Sequence, residues 1–291
     1  MQDPVVQTRV PGAGQTAESW LAALSSGTRA TDELTALGMR HAALLRPAGP
    51  VLLVSFDTLP QVAPPSLALA GLVRDQGWSH LSVVANGATW WRDPAVHAHF
   101  DRLIDEGFFE TFDRVVFFGI GMGGYAAASF CVAAPGCAVV AIRPQATLQA
   151  PATEWDRRFP HARRLDFTDR YSFAPDMVEG AASVLLVYDP RVAEDAMHAA
   201  LFTRPHVLRL RCHGAGARPE VAMAQTGLVA ELLRLAARGA LRAPLVHRAH
   251  RAARRRDAGH LLRLLSQLTL RGRGRLARRV ARAVLDREDP P

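Results

Sequence analysis

The residues with the strongest chemical signature lie in Val115-Val-Phe-Phe-Gly119-Ile120-Gly121-Met122-Gly123-Gly124-Tyr125-Ala-Ala-Ala128. Val115 to Phe118 is a short, uncharged run of β-branched and aromatic residues, the profile of a strand buried on both faces. Four glycines follow within six residues, and then a helix-favouring Tyr-Ala-Ala-Ala run. Strand, tight glycine turn and helix bring backbone unusually close to something. Two chemistries use that shape. In a nucleophile elbow, G-x-S-x-G, a sharp strand-to-helix turn lifts a serine hydroxyl over the sheet edge. Gly119-Ile-Gly121-Met-Gly123 fits it everywhere except at the serine, where Gly121 stands. In a dinucleotide-binding turn, G-x-G-x-x-G, the glycines let a pyrophosphate rest against a helix N-terminus. Gly119, Gly121 and Gly124 match that pattern letter for letter. The same glycines would also serve tight strand–helix packing alone.

Each chemistry needs partners elsewhere. Without a hydroxyl at 121 no acyl-enzyme forms there, and a histidine opposite has no proton to accept. Ser55 falls in a predicted strand, while Ser129 and Cys131 fall inside the helix after the turn, all poor places for an exposed nucleophile. A dinucleotide needs an acidic residue about 20 residues beyond the glycines, or a basic one for a 2′-phosphate. The next strand ends at Ile142-Arg143-Pro144, so Arg143 could face an NADP phosphate. Yet several elements precede this turn, whereas the dinucleotide fingerprint sits on the first strand–helix unit.

The elements that position the turn alternate along the chain. His41–Arg46 and Val51–Phe56 flank Pro47-Ala-Gly-Pro50 and read as a hairpin. Leu34–Arg40 is expected to extend an N-terminal helical region that includes residues 17–24. Ser66–Arg74 and Ala95–Glu106 read as helices, with strands at 81–85, 115–118, 137–142, 183–188 and 206–211. A long helix is expected over 220–238, ending at Gly239. Strands alternating with helices after an opening hairpin imply a mostly parallel sheet covered on both faces. The 291 residues, 49% hydrophobic and 21% charged, suit a globular chain. No secretory signal or apolar run long enough to span a bilayer is visible, and Cys131, Cys137 and Cys212 lack metal-ligand spacing. A cytoplasmic protein with reduced thiols, no membrane partner, no metal and no cofactor is the expectation.

Order along the chain carries a resemblance. An opening hairpin, a glycine turn after the central strand, Asp189 after the penultimate strand and a polar glycine turn after the last resemble the α/β-hydrolase fold over about residues 39–240. The resemblance implies a nucleophile at Gly121, an acid at Asp189 or Asp195, and a histidine in the turn Cys212-His213-Gly-Ala-Gly-Ala217. Ala217 stands where that histidine often lies, and His213 precedes it by four residues. Helix-terminal charge stabilisation accounts equally well for Asp195. The reading is therefore a hydrolase-like domain with a degenerate site. It would bind a small polar or anionic ligand through Gly119, Gly121, Met122, Gly123, Gly124, Arg143, Arg157 and Arg158, or serve as a partner-binding module. An active hydrolase or acyltransferase with an unconventional site, and an NADP-binding protein, are the alternatives.

Three regions frame that domain: an N-terminal helical leader (1–38), a cap-like excursion within the domain (143–182), and a helical tail (241–291). In the excursion, arginines beside Trp155, Phe159 and Tyr171 could hold an anion, or pair with Asp156, Asp166 and Asp169. Trp90-Trp91 reads as core filling before ligand platform. The net charge of +8 comes entirely with arginine, and fourteen of the 35 lie in the tail against four acids. The tail has no aromatic residue for stacking on single strands. Its apolar residues recur at helical spacing, so it is expected to dock on the body or a protein partner, with no specific nucleic-acid binding.

Overall fold

The computed structural model describes residues 20–22, 24, 28–59 and 65–288. Strands β1 (Glu33–Leu37), β2 (His41–Arg46), β3 (Val51–Leu59), β4 (Ser79–Asn86), β5 (Arg114–Ile120), β6 (Ala138–Ile142), β7 (Ser183–Tyr188) and β8 (Val207–Arg211) form one sheet. Their order is β1-β2-β4-β3-β5-β6-β7-β8. β1 and β2 pair antiparallel, as do β2 and β4, and every other pairing is parallel. The continuous apolar runs of β5, β6 and β7 lie inside the sheet with both faces covered, as do β3 and β4.

Successive residues of those strands feed two cores. On one face Val54, Phe56, Phe117, Val139 and Leu186 meet Phe100 of α2 (Pro94–Asp105) and Tyr125 and Phe130 of α3 (Met122–Phe130). On the other, Leu53, Val116, Phe118, Val140 and Leu185 meet α1 (Pro65–Gln76), through Leu69 and Leu72. There they also meet Leu232 and Leu233 of α7 (Leu228–Ala237). This is the three-layer, mostly parallel α/β architecture expected from the order of elements.

Several local expectations are corrected. The opening hairpin is made by β1 and β2 about the Gly38 turn (φ +68°), not by the strands flanking Pro47–Pro50. β4 lies between β2 and β3, so the 47–50 segment crosses to a non-adjacent position. Leu34–Leu37 is strand rather than helix, a five-residue run too short for periodicity to separate the two. β1 therefore places residues 33–37 in the sheet, ahead of the expected boundary at 39. The long helix over 220–238 is two, α6 (Pro219–Gln225) and α7, separated at Thr226–Gly227 where Gly227 takes φ +72°. Of the leader, Trp20 is buried against Ala42 and Val84, and the expectation for residues 1–16 lies outside the described residues.

The excursion after β6 contains no strand, one short α-helix, α4 (Ala174–Met177), and two 3-10 turns, Ala162–Arg164 and Val178–Gly180. It is packed down onto α3: Tyr125 Oη donates to the Tyr171 carbonyl at 2.9 Å, and Trp90 meets Tyr125, Phe159 and Phe167 ring to ring. Trp90 and Trp91 are 1% and 0% exposed, so both fill core. After β7 comes α5 (Ala193–Leu201), and the tail forms α8 (Ala243–Arg256), α9 (Ala258–Leu270) and α10 (Gly274–Glu288). Val246 and Ala253 of α8 join the second core, whereas no residue of α9 is buried. The expected docking of the tail thus holds for its first helix. Among the described residues no helix is long and apolar enough to cross a membrane.

Candidate functional site

The turn between β5 and α3 is built by steric necessity. A Cβ on Gly119 would sit 1.9 Å from the Gly123 carbonyl oxygen, and one on Gly123 would sit 2.5 Å from that of Phe56. Backbone atoms cannot yield to such approaches, so both positions require glycine. Gly121 differs. Its φ and ψ are 58° and −123°, and a Cβ there would meet nothing nearer than Arg143 Nη2 at 3.7 Å. The Gly121 N–H donates to the Ile142 carbonyl, and its own carbonyl accepts from Tyr125 N. This sharp strand-to-helix turn has the geometry expected from the resemblance to the α/β-hydrolases, with room at its apex but no side chain. In that family one oxyanion donor is the N–H after the apex, here Met122, and another comes from the loop after β3. Residues 60–64 of that loop lie outside the described residues.

What stands over the apex is a guanidinium. Arg143 ends β6 with φ +48°, unusual for a residue with a side chain. Its Nε and Nη2 donate to Glu220 Oε2 and Oε1 at 3.0 and 3.1 Å, a bidentate pair. Arg218 Nε approaches the same carboxylate at 3.6 Å. Glu220 opens α6, one element beyond the region where a histidine was expected. In this structure the guanidinium of Arg143 is paired with Glu220.

Asp189 does reach the post-β8 loop. Its carboxylate is 1% exposed and accepts Arg191 N at 3.0 Å and Gly216 N at 2.7 Å. The acid position therefore fixes the loop through a backbone N–H. No histidine hydrogen-bonds to Asp189 among the described residues, and His213 is exposed beyond the end of β8.

The strand order, the elbow after β5 and an acid after β7 bound to the loop after β8 now stand together. The fold is that of the α/β-hydrolases. No family model matches the chain, and no curated protein does. Similar solved structures include the Glycosylation Associate Protein (Gap123) complex from Streptococcus agalactiae, at 12% identity and TM-score 0.45, covering 69% of this chain and 46% of that one. Others are the capsule O-acetyltransferase of Neisseria meningitidis serogroup A (8%, 0.48, 70% and 95%) and Est1E from Butyrivibrio proteoclasticus (13%, 0.43, 69% and 99%). The chain's own strand order and elbow, not these distant likenesses, carry the fold.

Within this α/β-hydrolase fold, Asp195 and Arg158 belong to a different cluster. Asp195 lies in the first turn of α5, 2% exposed, and accepts Arg158 Nη1 at 2.7 Å. Arg158 also donates to Asp156, which accepts His198 Nε2–H at 3.0 Å. The Ala146 N–H donates to His198 Nδ1, which leaves the neutral imidazole's proton on Nε2. Burial pushes the Asp156 carboxyl up. Hydrogen bonds from His198 and Arg158, with the guanidinium charge, outweigh it and hold the carboxyl well below the usual range. The arginine is consumed in pinning the excursion to α5, while Arg157 is exposed. Sequence reading named Asp156 as a partner for the arginines of the excursion but missed its pairing with His198, 42 residues on, because no local pattern joins them.

Serine and histidine do meet elsewhere. Ser55 Oγ lies 2.8 Å from His80 Nε2 and donates to Asp57 Oδ2 at 2.9 Å, with Ser82 Oγ on the same carboxylate at 3.2 Å. Here the carboxylate holds the serine rather than the histidine, the reverse of a triad. Ser55 and His80 are each 1% exposed; burial pushes His80 down to about 4 and Asp57 up. Period-two alternation on β3 and β4 could have flagged this pair of polar faces. The thiols are equally inert: burial pushes Cys131 well up and Cys212 to about 12.

Proposed function

We propose that this chain uses the α/β-hydrolase scaffold for binding rather than for acyl transfer at the elbow. The observation that supports this reading is Arg143, whose guanidinium lies 3.7 Å from the position a Cβ would take at Gly121. In an enzyme of this fold that space receives the acyl group and the catalytic imidazole. Here it holds a cation on a strained backbone, paired with Glu220. Strain of about 1–3 kcal/mol persists where surrounding structure has a use for the conformation. The use that fits is recognition of a small anionic ligand, a carboxylate above all, that replaces Glu220 on the fork of Arg143. Gly119, Gly123 and Gly124 bring the α3 N-terminus close beneath it, and Met122 supplies a free backbone donor.

The competing reading is a hydrolase or acyltransferase with an unconventional site. One experiment separates the two. Folded protein is incubated with a serine-directed fluorophosphonate, and its intact mass is compared with that of the Arg143→Ala variant under native conditions. No covalent adduct is expected on either, and any co-purifying small ligand should be lost from the variant. An adduct mapping to the elbow or to residues 143–182 would replace this reading with the enzymatic one.

A further inference from the structure

A cleft of about 40 Å³ opens where the tail meets the body, between the loop after β8, α6, α8 and the start of α9. A buried water occupies roughly 10–15 Å³ in this measure, so the cleft has room for about three. A tetrahedral oxyanion needs similar space. Its lining combines Cys212 and Met223 with His213, His250, Arg254, His260 and Arg263, against a single carboxylate, Asp257. Cations and potential cations therefore come from three separate segments.

Their pairing is incomplete. Asp257 caps α9, accepting the His260 N–H at 2.9 Å, and Arg263 Nη2 lies 3.8 Å from it. Arg254 has no ion pair among the described residues. Its Nε and Nη2 both face His260 Nε2, at 3.2 and 3.0 Å, so a guanidinium fork is spent on one neutral imidazole. Forks of this kind match two oxygens of an oxyanion far better.

We propose that this cleft is a second site, separate from the elbow, that binds the phosphoryl or sulfuryl group of a small ligand. Arg254 is the principal donor, and His250, His260 and Arg263 complete the cage. Burial and surrounding cations hold His250 down at about 4; burial, Arg254 and Arg263 lower His260, with Asp257 opposing. The other charged groups acting on His250 are His247 and Arg251. A dianion among these groups reverses the balance, so it should enter together with protons. The loop after β8 that carries His213 also presents Gly216 to Asp189 and leads to Glu220, so the two sites share one segment.

Titration calorimetry of the full chain with sulfate, a dianion throughout the histidine range, tests this at fixed ionic strength. Saturable one-to-one binding is expected, weakening as pH rises above about 4, where His250 of the unliganded protein loses its proton. Arg254→Gln should weaken it by about tenfold or more, the worth of charge-assisted hydrogen bonds. His260→Gln should flatten the pH dependence, and circular dichroism should report folded protein for both. Arg271→Gln, exposed just past the far end of α9 and outside the cleft, should leave affinity unchanged. Glycerol phosphate binding more tightly than inorganic phosphate would mark an organic phosphate as the ligand; equal affinity would mark the free ion. Absence of saturable binding, or equal losses in the Arg271 and Arg254 variants, would overturn the proposal and leave only the diffuse charge of the tail.

Discussion

The elbow makes a sharp prediction about its own glycines. Gly121→Ser places a Cβ 3.7 Å from Arg143 Nη2, an ordinary contact, so the cost comes from holding a side chain at φ +58°. That cost is about 1–2 kcal/mol. For a chain of this size, each kcal/mol lowers Tm by roughly 2–4 °C, so the variant should fold and melt a few degrees lower. Gly123→Ala drives a Cβ to 2.5 Å from the Phe56 carbonyl oxygen, where only backbone movement gives relief. Overpacking of that kind costs about 1–3 kcal/mol or more, and here the upper end or beyond is expected. Thermal unfolding followed by circular dichroism ranks the two. The folded Gly121→Ser protein is then offered a fluorophosphonate and an activated ester. Neither labelling nor turnover above wild type is expected. Asp189 is spent on Gly216 N, no imidazole hydrogen-bonds to it among the described residues, and Arg143 cannot take a proton. Turnover by Gly121→Ser would show that a base was in place all along and would refute the binding reading. Equal stabilities for the two variants would refute the steric argument.

Two further outcomes follow from burial. His80 has its pKa lowered to about 4 in the fold against 6.5 when unfolded, so the unfolded chain takes up the proton first. The stability it contributes is present above pH 6.5 and is lost as pH falls towards 4; His80→Gln should remove about 1.4 kcal/mol per pH unit from the slope of unfolding free energy in that window, measured by urea titration. In the tail, truncation after residue 257 should leave the body's Tm nearly unchanged because α9 buries no residue. Truncation after 240 exposes the surface covered by Val246, fully buried, and should cost at least about 1.5–3 kcal/mol in the same assay.

The central layer was legible because β5, β6 and β7 advertise themselves as uncharged runs, and because a glycine cluster between strand and helix has few structural meanings. The first strand was not, since Glu33–Leu37 carries no period long enough to tell strand from helix. Nor was the crossing of β3 past β4, which depends on pairing between distant segments rather than on the Pro47–Pro50 turn residues. At the site, Gly121, Arg143 and Asp189 could be named from their places at strand ends. Glu220 could not: it reads as an ordinary first-turn acid of a helix, and only the fold brings it to a residue 77 positions earlier. Arg158 had two readings, a ligand anchor among aromatic residues or an ion-pair partner of Asp156; in the structure the buried carboxylates of Asp156 and Asp195 pair with it, and Asp195 was not legible as its second partner.

The two motifs that compete for Gly119–Gly124 have one physical origin. Gly119 and Gly123 are demanded by backbone oxygens at 1.9 and 2.5 Å, and a Cβ on Gly124 would stand 3.2 Å from the oxygens of Gly119 and Ile142. None of these constraints involves a substrate. A chain that keeps this strand–helix corner must keep those glycines whether or not it performs chemistry, so matching them says nothing about catalysis. Add a glycine at 121, and the elbow pattern becomes the dinucleotide pattern without any nucleotide being involved. Among the four glycines of the turn, packing leaves room for a side chain at 121, and chemical function must be read there and in what faces it. What faces it is Arg143, turned by a positive φ and held by Glu220.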